Sequence, residues 1–183
     1  MQFDMPAPGL APYLTLMGIT LLAAALPLLL LRKRALASRL RDAGLCGVLV
    51  LPFTAALGWS VSHNSIELRD GRLVVRASYF YEYARDIGEF DLARARQGER
   101  AALVPDGLGV RRNGIGLPGY LAGRFGGGNR ESLFVAATDQ RRMVYLPARR
   151  GQSLLVSVEQ GDALLNALYK AAPAINVRLG IAK

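Results

Sequence analysis

Two long apolar segments, separated by a short basic one, constrain this chain more than any other feature of its sequence. Residues 10–31 contain no charged side chain, and an α-helix of that length would measure about 33 Å. The hydrocarbon core of a bilayer is about 30 Å thick, so this helix could cross it. Residues 43–62 form a second uncharged segment. The pattern predicts an N-terminal segment at 1–9, transmembrane helices at 10–31 and 43–62, and a connecting loop at 32–42.

The connecting loop is strongly basic, whereas residues 1–9 contain no lysine or arginine and so lack the basic start of a cleavable signal peptide. Loops rich in lysine and arginine stay in the cytoplasm. We therefore expect loop 32–42 in the cytoplasm and the chain beyond the second span outside it. The loop carries Arg32, Lys33, Arg34, Arg39 and Arg41, against Arg69, Arg72 and Arg76 soon after the second span.

Side chains for several common chemistries are scarce. The chain has one cysteine, Cys46, within the second apolar segment, and one histidine, His63. An intrachain disulfide is therefore excluded, and the sequence indicates neither a zinc-ligand cluster nor a Ser-His-Asp or Cys-His catalytic site. The net charge of +9 speaks to solubility, and we expect no nucleic-acid partner. We also expect no catalytic residue, metal or cofactor. An acid–base enzyme built on Glu89 and Asp91 is kept as an alternative.

Beyond residue 64 the apolar runs become short and are separated by glycine, aspartate and asparagine, which is typical of strands joined by turns. Asp70-Gly71 lies between segments 65–69 and 72–83 and indicates a two-residue hairpin. Alternation in the second segment predicts a core face of Leu73, Val75, Ala77, Tyr79, Tyr81 and Tyr83. Further strands are predicted at 85–87, 89–96, 108–112, 120–125, 133–137, 142–146 and 153–156.

One helix is predicted near the C-terminal end. Ser157 is placed to cap it, and Gln160 lies three residues later, as in a capping box. We expect the helix to end by Pro173, so that 64–172 form the domain and 173–183 a tail. Its apolar face contains Leu164, Leu165 and Leu168.

The tyrosines of residues 79–83 allow a second interpretation. Tyrosine combines an apolar ring with a polar tip, so these side chains can form a platform for a ligand or for lipid headgroups instead of core. Together with the arginines of the first hairpin they would form a sensor of anionic lipid. The residues of this alternative are Arg69, Arg72, Arg76, Tyr79, Tyr81 and Tyr83.

Residues 114–119 match the GxGxxG pattern of dinucleotide-binding loops, but Pro118 interrupts the helix that should open on the glycines, so we reject a nucleotide site. We predict instead that the glycines form tight turns at positive φ. A loop on a rigid scaffold is also a common place for partner contacts. The predicted turn glycines are Gly71, Gly114, Gly116, Gly119 and Gly123, and the candidate partner-binding residues are Asn113, Tyr120, Arg124 and Phe125.

Three segments, 113–125, 132–139 and 143–147, resemble the bacterial pleckstrin-homology (PH) domain family found behind membrane spans. They form a glycine-rich turn, a strand, a Thr-Asp turn and a strand, and residues 153–157 then lead into the last helix. The resemblance covers about residues 65–172. It implies a PH-like small barrel of two packed antiparallel sheets capped by a C-terminal α-helix, and it implies a binding scaffold with no enzymatic activity.

We therefore expect a bacterial inner-membrane protein with two N-terminal transmembrane helices followed by a mainly β, extracytoplasmic domain. This domain would act as a binding or assembly module for a protein partner. The anionic-lipid sensor and the carboxylate enzyme are the alternatives.

Overall fold

The computed structural model describes residues 1–31, 33–126 and 132–178, with side chains described up to residue 172. Two long apolar helices precede a mainly β region of two sheets and a C-terminal helix, which confirms the predicted layout in outline. The helices are α1 (Leu10–Leu30), α2 (Leu36–Val61), α3 (Arg100–Leu103) and α4 (Gly161–Arg178). The strands are β1 (Gln2–Phe3), β2 (Asn64–Arg69), β3 (Arg72–Ala77), β4 (Tyr81–Asp86), β5 (Arg96–Gly98), β6 (Val110–Leu117), β7 (Tyr120–Gly126), β8 (Ser132–Ala137), β9 (Met143–Leu146) and β10 (Gln152–Ser157).

Helices α1 and α2 pack side by side in opposite directions, with Thr20 and Thr54 hydrogen-bonded at 2.8 Å between them. Their 21 and 26 residues correspond to about 32 and 39 Å. By length and composition both could span a bilayer. In the most apolar 18-residue stretch of each helix, only 6% (α1) and 11% (α2) of the residues are buried. The core helix of a soluble domain would bury most of its apolar face.

Helix α2 begins earlier than predicted. Residues 32–42 were expected to form a loop, but α2 starts at Leu36, so that Arg39 and Arg41 lie in its first turns. The Arg39 guanidinium donates a hydrogen bond to the Leu28 carbonyl, one of the carbonyls left free at the end of α1. The tip of the hairpin is therefore a short turn held partly by an arginine side chain.

The first sheet has the order β1-β2-β3-β4 and is antiparallel throughout. Its first hairpin turns at Asp70 and Gly71, with φ of 50° and 77°, which confirms the predicted Asp-Gly turn. Leu73, Val75 and Ala77 are fully buried, as the alternation predicts.

The predicted strand 72–83 is in fact two strands. The chain reverses between β3 and β4, and Ser78 there has a φ of 60°. The alternation is broken by this turn, so Tyr79 is 60% exposed and does not join the core. Tyr83 resumes the inward face and is buried, opposite Val75 on β3.

The second sheet has the order β5-β9-β10-β8-β7-β6. The resemblance to PH domains implies antiparallel sheets, but β8 and β10 are parallel, with Leu133 opposite Ser153. The reason is topological. Strand β9 does not pair with β8 but lies one strand position away from it, and β10 occupies the position between them, antiparallel to β9. Among the described residues no strand pairs across the two sheets, so they do not close into a barrel.

The strands predicted at 120–125, 133–137, 142–146 and 153–156 are confirmed as β7 to β10. The strand predicted at 108–112 lies further along, as β6. Segments 85–87 and 89–96 were expected to be strands, but they contain the end of β4, two 3₁₀ turns and the first residue of β5. The turns are Ile87–Glu89 and Leu92–Arg94.

Ser157 does not cap the last helix, because it is the buried final residue of β10. Its hydroxyl oxygen accepts hydrogen bonds from the backbone N–H groups of Thr138 (3.2 Å) and Asp139 (3.1 Å). It also donates to the carbonyl of Asp139 at 2.6 Å. Ser157 thus connects the end of β10 to the segment that follows β8, its neighbour in the sheet.

Helix α4 lies against the main core through Leu164 and Leu168, both fully buried as predicted. The core also contains residues of both sheets and Val61 from the last turn of α2. The helix begins at Gly161 and continues through Pro173 to Arg178, so the predicted end at Pro173 is wrong.

The glycines divide into two groups. Gly71 and Gly119 lie in turns with φ of 77° and 78°, as predicted. Gly114, Gly116 and Gly123 lie within β6 and β7, so their assignment to turns is wrong. They allow close approach of two backbones: a Cβ on Gly123 would lie 2.3 Å from the carbonyl oxygen of Asn113.

Substituting Gly123→Ala should therefore destabilise the β6–β7 pair. Gly123 has a φ of 123°, and backbone strain alone should lower the free energy of unfolding by about 1–3 kcal/mol. Unfolding of the full chain in detergent micelles measures this loss. Gly44→Ala is the matched control, because nothing lies within 4 Å of its added Cβ; equal stability of the two variants would contradict the packing described here.

Candidate functional site

The junction between α2 and the β region is built around Asn64, the first residue of β2. Its side-chain N–H donates to the carbonyl of Val61 at 2.7 Å. Its Oδ1 accepts the backbone N–H of Ser78 at 3.0 Å and the hydroxyl of Tyr120 at 2.9 Å. One amide side chain therefore connects the end of α2, the β3–β4 turn and the second sheet.

Neighbouring contacts reinforce this junction. The hydroxyls of Ser60 and Ser78, both buried, are hydrogen-bonded to each other. A Cβ on Gly119, in the β6–β7 turn, would lie 3.6 Å from Ala11 and 3.7 Å from Pro12 at the start of α1. Both helices thus touch the β region at the same end.

The segment before α1 is also part of the β region. Strand β1 pairs with β2, and Met1 and Leu68 exchange two hydrogen bonds of 2.8 and 2.7 Å. The Asp4 carbonyl accepts the backbone N–H of Glu159 at 3.1 Å. Residues 1–9 and the β region consequently lie at the same end of the helical hairpin, opposite the turn that joins α1 to α2.

An aromatic cluster formed by Trp59, His63 and Tyr79 lies beside the junction. The Trp59 and Tyr79 rings are stacked, with centroids 4.8 Å apart and planes 13° apart. The His63 ring is 4.5 Å from Trp59 and 5.1 Å from Tyr79. Phe80 follows at the tip of the β3–β4 turn and is 66% exposed.

A groove of about 500 Å³ opens next to this cluster. Arg76 and Glu82 face it from the outer side of the first sheet, and their side chains are hydrogen-bonded at 2.9 Å. This hydrogen bond, which the Arg76 guanidinium donates to the Glu82 carboxylate, is the main cause that raises the pKa of Arg76 above its usual value. The other lining residues include His63, Ser65, Ser78 and Phe80.

The three arginines of the lipid-sensor alternative all face carboxylates. Arg72 pairs with Asp86 at 2.9 Å, and Arg69 lies 3.9 Å from Asp70. Arg76 pairs with Glu82 and, at 3.4 Å, with Glu67. Arg69 and Arg72 also flank the far turn of the first hairpin, about 17 Å along β2 from Asn64. They do not form one patch with the exposed tyrosine.

The tyrosines of that alternative occupy three environments. Tyr79 is exposed, and Tyr81 is partly buried with its hydroxyl 3.4 Å from Asn113 Oδ1. Tyr83 is buried against Phe134, with ring centroids 5.2 Å apart. Its hydroxyl donates to the carbonyl of Gln152 at 2.7 Å, which links the two sheets. Burial raises the pKa of Tyr83.

The predicted partner-binding residues are not on a loop, because they lie on β6 and β7. Asn113 and Arg124 are exposed. Tyr120 and Phe125 are buried, at 1% and 5% exposure, so their side chains belong to the core and not to an exposed partner surface. Burial raises the pKa of Tyr120.

Glu89 and Asp91, the carboxylates of the enzyme alternative, lie at two successive 3₁₀ turns. Glu89 lies in a 3₁₀ turn and forms an ion pair with Arg85 at 3.3 Å. The backbone of Asp91 begins the next turn, and its carbonyl accepts the N–H of Arg94. Within the described ranges no group of three or more His, Cys, Asp or Glu side chains is placed to hold a metal ion.

Sequence reasoning missed Asn64 and Ser78, and it gave His63 no role. A polar residue directly after a long apolar helix is a weak signal for such a junction. Two hydrogen-bond partners of Asn64, Ser78 and Tyr120, are 14 and 56 residues away, so no local sequence pattern predicts these contacts.

Comparison of the chain with protein-family models, curated proteins and solved structures found no match.

Substituting Asn64→Ala should weaken the junction. It leaves the buried Tyr120 hydroxyl and the Ser78 N–H without their acceptor. Each unsatisfied donor should lower the free energy of unfolding by about 1–3 kcal/mol. Tyr120→Phe is the matched control, because it removes the donor itself and should cost only about 1 kcal/mol. Denaturation of the full chain in micelles measures both; a loss for Asn64→Ala no larger than that of the control would contradict the role of Asn64.

The hydroxyls of Tyr83 and Tyr120 should ionise at higher pH than a free tyrosine, whose pKa is about 10. Because their folded pKa values are raised, their contribution to stability is present below about pH 10 and is lost as pH rises further. Ultraviolet absorbance of tyrosinate during a pH titration follows the ionisation. Tyr83→Phe and Tyr120→Phe should each remove one late-ionising group, and an unchanged late phase in both would contradict the burial described.

Proposed function

We propose that the protein is a membrane-anchored, non-enzymatic binding or assembly module that presents its β region to a protein partner at a membrane surface. The observation that carries this proposal is the junction at Asn64. A flexible linker would leave the β region free to rotate, whereas here the last turn of α2 is part of the core. Such a junction suits a domain that must be held in one orientation.

The membrane location rests on α1 and α2, which expose most of their large apolar side chains. Residues 32–41, around the turn between them and in the first turns of α2, carry the cations, and residues 1–9 with the β region are at the other end. The positive-inside rule then places the turn in the cytoplasm and the β region outside, in the inner membrane of a bacterium.

The partner surface that we propose is the outer part of the β6–β7 hairpin. Residues 110–126 contain three arginines and no carboxylate. Asn113 and Arg124 are exposed and lie directly opposite each other on β6 and β7, so their side chains share one face of the hairpin. Arginine is enriched at protein interfaces, where its planar guanidinium binds carboxylates bidentately. An acidic protein surface is the complementary partner.

The PH-like assignment stays a prediction. Two sheets and a C-terminal helix support it, and the parallel pairing of β8 with β10 is a departure from it. The anionic-lipid alternative has weaker support, because Arg69, Arg72 and Arg76 are already paired with carboxylates.

Photo-crosslinking in cells tests the partner surface. A photoreactive residue at Arg124 should form an adduct with another protein, and Arg124→Glu should reduce capture from a neighbouring crosslinking position at Asn113. Arg72→Glu, on the other sheet, is the control and should leave capture unchanged. The proposed surface would be contradicted if no adduct formed at either position 113 or 124, or if Arg124→Glu left the capture from position 113 unchanged.

A reporter fused after Lys183 tests the orientation. We expect an enzyme that requires export to be active and a cytoplasmic reporter to be inactive, because the basic turn stays in the cytoplasm. The reverse pattern would place the β region in the cytoplasm and overturn the proposed topology.

A further inference from the structure

The β3–β4 turn exposes two aromatic side chains that the fold itself does not use. Tyr79 and Phe80 are 60% and 66% exposed. The hydrophobic effect disfavours such exposure to water by roughly 25 cal/mol per Å² of apolar area. Exposed aromatic groups of this kind mark a surface that is covered by something else.

The position of the turn identifies what covers it. The Ser60–Ser78 hydrogen bond and the stacking of Tyr79 on Trp59 hold the turn beside the last turn of α2. Trp59 is itself 60% exposed and lies in the last turn of α2, a helix with many exposed large apolar side chains. Tryptophan and tyrosine are enriched where membrane helices leave the hydrocarbon core.

We propose that Trp59, Tyr79 and Phe80 form one interfacial wedge that inserts into the boundary between lipid headgroups and acyl chains. This rests on the proposed membrane location of α1 and α2. The wedge gives the β region a direct contact with the bilayer, so that the first sheet is held against the membrane surface as well as being joined to α2. Amphipathic elements bound in this way reach about 5–10 Å into the headgroup layer.

The charges around the wedge show which lipid property it recognises. Arg76 lines the same groove as Tyr79 and Phe80, and it is shared by Glu67 and Glu82. One guanidinium between two carboxylates offers no net attraction to an anionic headgroup. Insertion is therefore driven by burial of aromatic surface, and it should be the same in zwitterionic and anionic bilayers and insensitive to salt.

The single tryptophan of the chain provides the test. In a Trp59→Phe background, tryptophan is introduced at one of three exposed apolar positions: Phe53→Trp in the span, Phe80→Trp in the wedge, and Val110→Trp on β6. Val110 lies at the end of β6 remote from the Gly119 turn, about 23 Å along the strand. Each full-length variant is reconstituted into phosphatidylcholine nanodiscs, and fluorescence quenching is compared between lipids brominated near the headgroup and near the chain end.

We expect the Phe53→Trp variant to lose fluorescence most with deep bromines, the Phe80→Trp variant to lose it most with shallow bromines, and the Val110→Trp variant to be unaffected. The result at position 80 should not change in high salt or when anionic phosphatidylglycerol is added. Quenching at 53 with none at 80 would overturn the wedge and leave the membrane location intact. Absence of quenching at 53 would overturn the membrane location itself. Quenching at 80 that requires anionic lipid and low salt would instead support the anionic-lipid sensor and contradict the wedge.

Discussion

The hydrogen bonds of Asn64 are the interaction on which the arrangement of this protein depends. Its amide group binds a carbonyl of α2, an N–H of the first sheet and a hydroxyl of the second. The Tyr120 hydroxyl is buried, so its loss of water must be offset by a hydrogen bond, and Asn64 supplies the acceptor. Removing that acceptor would affect two sheets and a helix together, because all three meet at this side chain.

The N-terminal strand gives the same junction a second support. Since β1 pairs with β2, the chain enters and leaves the helical hairpin from within one sheet. The start of α1 and the end of α2 are therefore both attached to the β region. In a membrane such a hairpin could not tilt independently of the β region, so the orientation of the hairpin would determine which surface of the β region faces a partner.

Features that depend on local sequence were predicted well. The two apolar helices follow from uninterrupted hydropathy, and the Asp70-Gly71 turn follows from the backbone freedom of its residues. Strands β7 to β10 also followed from local patterns of residues and turns. Asn113 and Arg124, which the sequence suggested as partner-binding residues of a loop, are exposed but lie on a strand pair.

Features that depend on contacts between residues distant in sequence were not predicted. The parallel register of β8 and β10 is decided by where β9 lies in the sheet, which no alternation pattern encodes. Ser157 fitted a helix-cap pattern, but its hydroxyl is used by residues 18 and 19 positions earlier. Tyr79 continued a regular alternation that the turn at Ser78 interrupts. That turn is held by contacts with Asn64 and with the end of α2, which are distant in sequence.

The central claim is that the β region and the helical hairpin form one rigid unit. Double electron–electron resonance between spin labels at Val48→Cys on α2 and Val110→Cys on β6, in a Cys46→Ala background and in lipid nanodiscs, measures this directly. The account predicts a single narrow distance distribution that broadens when Asn64 is replaced by alanine. A distribution that is broad or has several maxima in the protein with Asn64 intact would contradict it.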